Sequence, residues 1–219
     1  MRPLHELIDR EDPGFPLVRE WLGEATRLVE VLPPAAAREE ALVQAQVTTR
    51  SPMGAVVYET GGILVDGGWL CILGSGHPRL TRTLPGWNAG RSEGFLLVAD
   101  DAAGGFFAVN GGAFGDDLGR LYYFAPDMLD WEPLQLGYSE FLVWAFSGDL
   151  DGFYQWIRWR GWNSDVRALH GDRCYSFYPF LFTKKGKGGS GRRGEVPVEE
   201  AWSLQMDLRQ QLGQTQEGG

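Results

Sequence analysis

Between residues 55 and 124 the chain is cut into short β-prone runs by glycine-rich turns, and no other feature narrows the fold as much. Residues 55–59, 62–65 and 69–73 are such runs. Asp66-Gly67, lying between two of them, is a strong hairpin signal because tight turns need the positive φ that glycine tolerates. Residues 95–99, 105–109 and 120–124 read as three more strands, joined by turns dense in Asp, Asn and Gly (ADDAAGG and NGGAFGDDLG). Short turns between successive strands imply an antiparallel meander. A further extended piece is expected around 131–136, and 74–94 reads as a loop broken by Pro78, Pro85 and several glycines.

Helical patterns flank this region. Leu17, Val18, Trp21, Leu22, Ala25, Leu28, Val29 and Leu32 recur at spacings of three and four, which predicts a helix from Pro16 that Pro33-Pro34 stops. A second helix is expected over 35–47, then others over 139–146 and 151–159. A closing amphipathic helix over 198–212 begins after Pro197 and ends at Gly213, with a frayed polar tail over 213–219. The aromatic run 174–182 reads as a strand, and Pro179 makes it an edge or bulged one. No internal repeat is visible. The expectation is a single α+β domain spanning 1–219, with a mixed or mainly antiparallel central sheet packed against N-terminal and C-terminal helices.

Charge and cysteine content limit the functions available. Twenty Lys and Arg against 29 Asp and Glu give a net charge of −9, which weighs against a nucleic-acid partner. The basic charge is uneven: Lys184, Lys185, Lys187, Arg192 and Arg193 fall in a glycine-rich stretch that reads as a flexible surface loop over 184–195. Such a loop can meet an anionic partner. Two cysteines do not make a disulfide framework, and the N-terminus has no apolar core of a secretory signal. No run is long enough to span a membrane, so the expected location is the cytoplasm.

Each constellation with the residue types for chemistry has a plainer reading. Cys71, His77, His170 and Cys174 have spacings compatible with a tetrahedral metal site, yet Cys71 lies in the apolar run WLCIL, where cysteine acts as a small hydrophobe. Ser75 sits near His77, but Leu73 stands where a nucleophile elbow needs glycine. Asp100-Asp101 and Asp116-Asp117 flank strands and would converge for acid/base work if they met at one end of the sheet; turn chemistry is the simpler account. The segment from Trp144 to Phe182 holds twelve aromatic residues, more than one core-facing stripe buries easily. Some rings are therefore expected at a partner surface, unless they cover a broad sheet with Arg158, Arg160 and Arg167 stacked on them.

One stretch resembles a known superfamily. The strand FLLVADD, the turn AAGG, the strand FFAVN, the strand LYYFAPD, a link containing Trp131 and the helix YSEFLVWAFSG follow the order of the SUKH (SMI1/KNR4-like) core, here roughly 95–153. The whole chain is more similar to an uncharacterised bacterial family near that superfamily. The resemblance implies an α+β fold and a non-enzymatic role in binding another protein, of the immunity or regulatory type, with no cofactor. Its expected partner surface draws on Trp87, Asn110, Asp116, Asp117, Trp131, Trp159 and Trp162. The competing expectation is a small hydrolase or metal-dependent enzyme using Asp100, Asp116, His77 or His170; clustering of Cys71, His77, His170 and Cys174 would favour it.

Overall fold

A computed structural model describes residues 1–217 apart from Ser92 and Ser190. Its centre is a seven-stranded sheet in which every neighbouring pair is antiparallel and strand order follows chain order. The strands are β1 (Val29–Leu32), β2 (Gly62–Val65), β3 (Leu70–Leu73), β4 (Phe95–Asp101), β5 (Phe106–Asn110), β6 (Arg120–Ala125) and β7 (Asp130–Gly137). The hairpin expected at Asp66-Gly67 is present: both residues have positive φ, 52° and 73°, and Val65 faces Leu70 across the turn. A second, two-stranded sheet pairs β8 (Arg173–Tyr178) with β9 (Arg192–Pro197).

Nine helical segments complete the described chain: α1 (Leu4–Leu7), α2 (Phe15–Gly23), α3 (Arg38–Ala45), α4 (Pro52–Glu59), α5 (Leu84–Asn88), α6 (Tyr138–Ser147), α7 (Leu150–Tyr154), α8 (Trp162–Ala168) and α9 (Val198–Glu217). Phe106 and Phe107 show how the layers are arranged. Successive side chains of a strand point to opposite faces. Phe106 meets Trp202 of α9 at 4.9 Å, and Phe107 meets Phe141 of α6 at 5.1 Å. Both rings are fully buried, so helices cover the sheet on both faces at this strand. That explains why the central strands are continuously apolar rather than alternating.

Several sequence expectations need correction. The helix expected over 16–32 stops at Gly23, and Val29–Leu32 instead forms an edge strand on β2. Val29 and Val31 suit an extended backbone, and pairing with Ile63 and Val65 outweighs the helical spacing. Residues 55–59, expected as a strand, lie inside α4. Ser51 caps that helix by accepting from the Gly54 amide at 3.1 Å, Pro52 occupies its first turn, and Ala55, Val56 and Val57 are buried. The Ser-Pro start signal and tertiary burial prevail over β propensity there. Helix α5 lies within the stretch 74–94 expected to be loop. The helix expected over 151–159 is shorter, ending at Tyr154, and α8 follows it. The strand over 174–182 ends at Tyr178, before a cis bond to Pro179. Arg192 and Arg193, expected in the loop, belong to β9. Gly213 does not stop α9, which continues to Glu217; residues 218–219 of the expected tail lie outside the described residues.

Candidate partner-binding surface

The paired aspartates do not converge. Successive turns of a meander lie at alternate ends of the sheet, so Asp100-Asp101 at the end of β4 and Asp116-Asp117 before β6 are at opposite ends. Each buried carboxylate is occupied. Asp100 takes both Nη groups of Arg82, at 2.5 and 3.1 Å, and Arg82 Nε donates to Asp172 at 3.2 Å. Asp172 also accepts from the Thr81 amide and hydroxyl and the Arg82 amide. Burial pushes the Asp100 carboxyl up while Arg82 pulls it down. Burial also disfavours the Arg82 charge, but Asp100 and Asp172 outweigh that and hold the guanidinium protonated.

Among the described residues Asp101 has no cationic partner. Its Oδ1 accepts from the Ala103 and Gly105 amides, both at 2.9 Å, and Oδ2 accepts from the Tyr123 hydroxyl at 2.8 Å. Burial raises its pKa to about 6 against these bonds. At the other end, Asp117 accepts from Asn110 Nδ2 at 2.7 Å and from the Tyr122 hydroxyl at 3.0 and 2.9 Å. Asp116 is exposed beside it.

The thiols and imidazoles are likewise spread between core and loops. Cys71 lies opposite Asp100 in the β3–β4 register, and Cys174 lies on β8; both are buried, and burial pushes both thiols up. His77 Nδ1 accepts from the Arg79 amide at 3.1 Å, and His170 Nε2 lies 2.9 Å from the Pro78 carbonyl oxygen. Among the described residues, no group of three or more His, Cys, Asp and Glu side chains is placed to hold a metal ion. The buried Ser75 hydroxyl donates to the Thr60 carbonyl at 2.8 Å and accepts from the Ala35 amide at 3.1 Å, so it is already engaged.

The aromatic residues form packed layers with arginines over them. Trp69, fully buried, meets Tyr154, Trp159 and Trp162 at 5.1 to 5.6 Å. Arg158 lies over Trp69, Tyr154 and Trp162, and Arg193 lies over Trp159. Of the three arginines expected to stack on these rings, only Arg158 does so among the described contacts. Trp159 and Trp162 keep half-exposed edges, and Trp159 Nε1 donates to Asp165 at 2.7 Å. Trp131 is half-buried against Phe95, Phe114 and Phe124. Asn110 and Trp87 are buried, the latter beneath Arg82 and Arg91. Beside them Thr81, Asp172 and Glu199 line a hollow of about 430 Å³, where Arg91 pairs with Glu199. The candidates named from sequence are therefore dispersed over several regions.

A different surface gathers exposed apolar side chains. On α9, Leu204, Leu208 and Leu212 are spaced by four, so they share one face. Leu204 is 41% and Leu212 46% exposed, and Met128 in the β6–β7 turn is 62% exposed. Met128, Phe182, Met206 and Leu212 line a groove of about 760 Å³ with Asp127, Asp130 and Arg209 at its polar edge. It adjoins a small apolar cleft lined by Phe180, Leu204 and Leu208, and the two share Leu129 and Phe182. The Phe180 and Phe182 rings stack, 5.6 Å apart and 12° from parallel. Sequence reasoning placed this leucine stripe on an amphipathic helix but not its exposure. The signal was the spacing of Leu204, Leu208 and Leu212 together with the PFLF run before the lysines.

No described helix is long and apolar enough to cross a membrane. Residues 4–201 match the model of a family described as Protein of unknown function DUF2625, and the chain belongs to that family. It is 46% identical over 219 residues to an uncharacterized protein of Escherichia coli, YbfG, covering 98% of this chain and 100% of the relative. An uncharacterized protein of Haemophilus influenzae is 41% identical over 189 residues, 83% of each chain. No solved structure matches. The comparisons thus support an uncharacterised bacterial family and leave the SUKH likeness of 95–153 resting on its motifs alone.

Proposed function

We propose that this chain is a non-enzymatic protein-binding module of the immunity or regulatory type, acting as one domain in the cytoplasm. The observation that carries this reading is the apolar groove along α9 with its adjoining cleft, where Met128 and Leu212 in the groove and Leu204 in the cleft are left exposed. Exposed large apolar side chains gathered in one place mark partner sites more often than isolated ones do. Two further features support it. Asp100, Asp101 and Asp117 are tied to internal partners rather than facing a shared cleft. The motifs over 95–153 resemble the SUKH core, whose members bind other proteins.

The test is affinity capture from lysate of the source organism with the full chain. Leu204→Glu/Leu212→Glu serves as the groove variant, and Trp159→Ala/Trp162→Ala as the variant for the aromatic surface. One stoichiometric protein retained by the wild type and lost from the groove variant, with both chains folded by circular dichroism, supports the reading. Loss from the tryptophan variant alone would move the partner site to Trp159 and Trp162. Absence of a protein partner, with a small molecule or metal ion co-purifying, would overturn the reading in favour of an enzyme.

A further inference from the structure

Strand β9 is an edge of the small sheet, and its sequence is complementary to itself. The Val198 amide donates to the Asp172 carbonyl oxygen at 3.0 Å, in line with the β8–β9 register, while the Tyr175 amide turns away from β9 to Ala102 at 2.8 Å. Backbone groups of successive residues point to opposite sides of a strand. Arg192, Gly194 and Val196 therefore bond to β8, and Arg193 and Glu195 turn their amides and carbonyls outward. Among the described residues these outward groups have no backbone partner. The Glu195 carbonyl accepts from Arg173 Nη2 at 3.0 Å and keeps a second lone pair. Residues 192–195 are all exposed, so a two-stranded sheet offers an open edge to a further strand.

Charge decides which strand fits. Arg193 and Glu195 lie two residues apart, on one face. Antiparallel pairing of two copies of β9 about a twofold axis at Gly194 sets Arg193 opposite Glu195 of the second copy, and does so twice. Both residues face outward, so each pair exchanges two backbone bonds. Gly194 then meets Gly194 in a pair without backbone bonds, where side chains approach closest, and its own surroundings leave that space open. Lys184, Lys185, Lys187 and Arg192 precede this centre while Glu199 and Glu200 follow it, so antiparallel alignment brings unlike charges toward each other. Moving the axis to residue 193 or 195 would set arginine on arginine or glutamate on glutamate. Arg193 already bonds Asp165 at 2.9 Å and Glu195 pairs with Arg173 at 3.5 Å, but each retains further donors or lone pairs.

The edges of the large sheet lack this match. Strand β7 carries Pro133 and a positive φ of 59° at Gln135. In β1 the Leu28 carbonyl faces the Asp66 amide, which turns Val29 and Val31 outward; self-pairing through both valines would set Glu30 against Glu30.

We propose that β9 pairs antiparallel with β9 of a second copy of this chain about a twofold axis at Gly194, joining the two small sheets into one of four strands. This contact is separate from the α9 groove.

The test is sedimentation equilibrium of the full chain from about 1 μM to about 1 mM, with folding checked by circular dichroism. A concentration-dependent dimer is expected. Arg193→Glu and Glu195→Arg each create two like-charge contacts and should weaken it about tenfold, and Arg193→Glu/Glu195→Arg should regain most of the affinity. Register is read by cysteine. With oxidised glutathione as the electron acceptor, Gly194→Cys should form an intermolecular disulfide, since the two Cα atoms would stand about 4.5 Å apart. Glu195→Cys should not, because its two copies are offset by two residues, about 7–8 Å. The native thiols are buried and do not compete. Leu204→Glu/Leu212→Glu should leave the dimer intact. A monomer at every concentration would overturn the proposal, as would a dimer equally strong in both single charge variants. Crosslinking of Glu195→Cys without Gly194→Cys would overturn it too, and so would a dimer lost only in the leucine variant, which would place the contact on α9.

Discussion

Arg82 closes on Asp100 through two parallel hydrogen bonds, Nη1 to Oδ2 at 2.5 Å and Nη2 to Oδ1 at 3.1 Å, with the carboxylate only 2% exposed. Arg82 also reaches Asp172 and, at 2.7 Å, the Gly171 carbonyl oxygen. One guanidinium thus ties the segment after β3, the end of β4 and the entry to β8 together.

Removing one partner of this pair leaves a buried charge without compensation. Arg82→Ala is expected to destabilise the protein by about 3–5 kcal/mol, the usual result of breaking a buried ion pair from one side. Arg82→Met/Asp100→Leu removes both charges and should recover much of the loss, because desolvation offsets most of what the intact pair contributes. Urea unfolding of Arg82→Met, Asp100→Leu and the double variant measures the coupling. Additive losses would mean that the pair is not an energetic unit.

Asp101 gives the fold a pH dependence of unusual sign. Its folded pKa of about 6 lies above the value of about 3.9 expected in the unfolded chain. The native state therefore binds more protons than the unfolded state between these values, so this group's contribution declines as pH rises from about 4 to about 6. The wild type should lose about 2–3 kcal/mol relative to Asp101→Asn across that window, with no further change above it. Asparagine can keep the bonds from the Ala103 and Gly105 amides through its Oδ1. Denaturation of both proteins at a series of pH values reads the difference directly; parallel curves would show that Asp101 titrates normally.

How much could be read from the sequence depended on whether a signal was local. The turns at Asp66-Gly67, 102–105 and 111–119 are written in glycine and aspartate, so β2 to β6 were legible from their punctuation. The stretch ending in Val29–Leu32 was not, because its helical spacing is as good as its β propensity and only pairing with β2 decides between them. Residues 55–59 were misread as a strand because burial against neighbouring helices does not show in the run AVVYE itself. The groove was half legible: the amphipathic pattern gave the closing helix that carries Leu204, Leu208 and Leu212, but their exposure depends on what packs against α9. Phe106 and Phe107 are the converse case, two adjacent apolar residues whose meaning is that both faces of the sheet are covered.

Cys71 and Cys174 should behave as core residues. Cys71 is 4% and Cys174 1% exposed, and burial holds both thiols well above their ordinary values. The thiolate is the reactive species, so both should resist a thiol reagent in the native protein and react fully in guanidinium. Colorimetric titration before and after denaturation gives the answer. Rapid native labelling of either thiol would mean that the sheet opens locally on that timescale.

Two glycines in helices should respond to the same substitution with opposite signs. Alanine is ordinarily about 1 kcal/mol better than glycine inside a helix, since it loses less backbone entropy on folding. At Gly213, near the end of α9, an added methyl meets nothing within 4 Å, so Gly213→Ala should stabilise by about 0.5–1 kcal/mol. At Gly54 in α4 the added carbon would stand 2.0 Å from the Thr48 carbonyl oxygen and 2.5 Å from its carbon. Both are backbone atoms, so relief requires moving the Thr48 segment, which is fixed through Thr49 to Leu7 and Gly14. Gly54→Ala should therefore destabilise by about 1–3 kcal/mol despite the better helix former. Thermal and urea midpoints of the two variants settle it: a neutral or stabilising Gly54→Ala would mean that α4 and the Thr48 backbone are not as close as described.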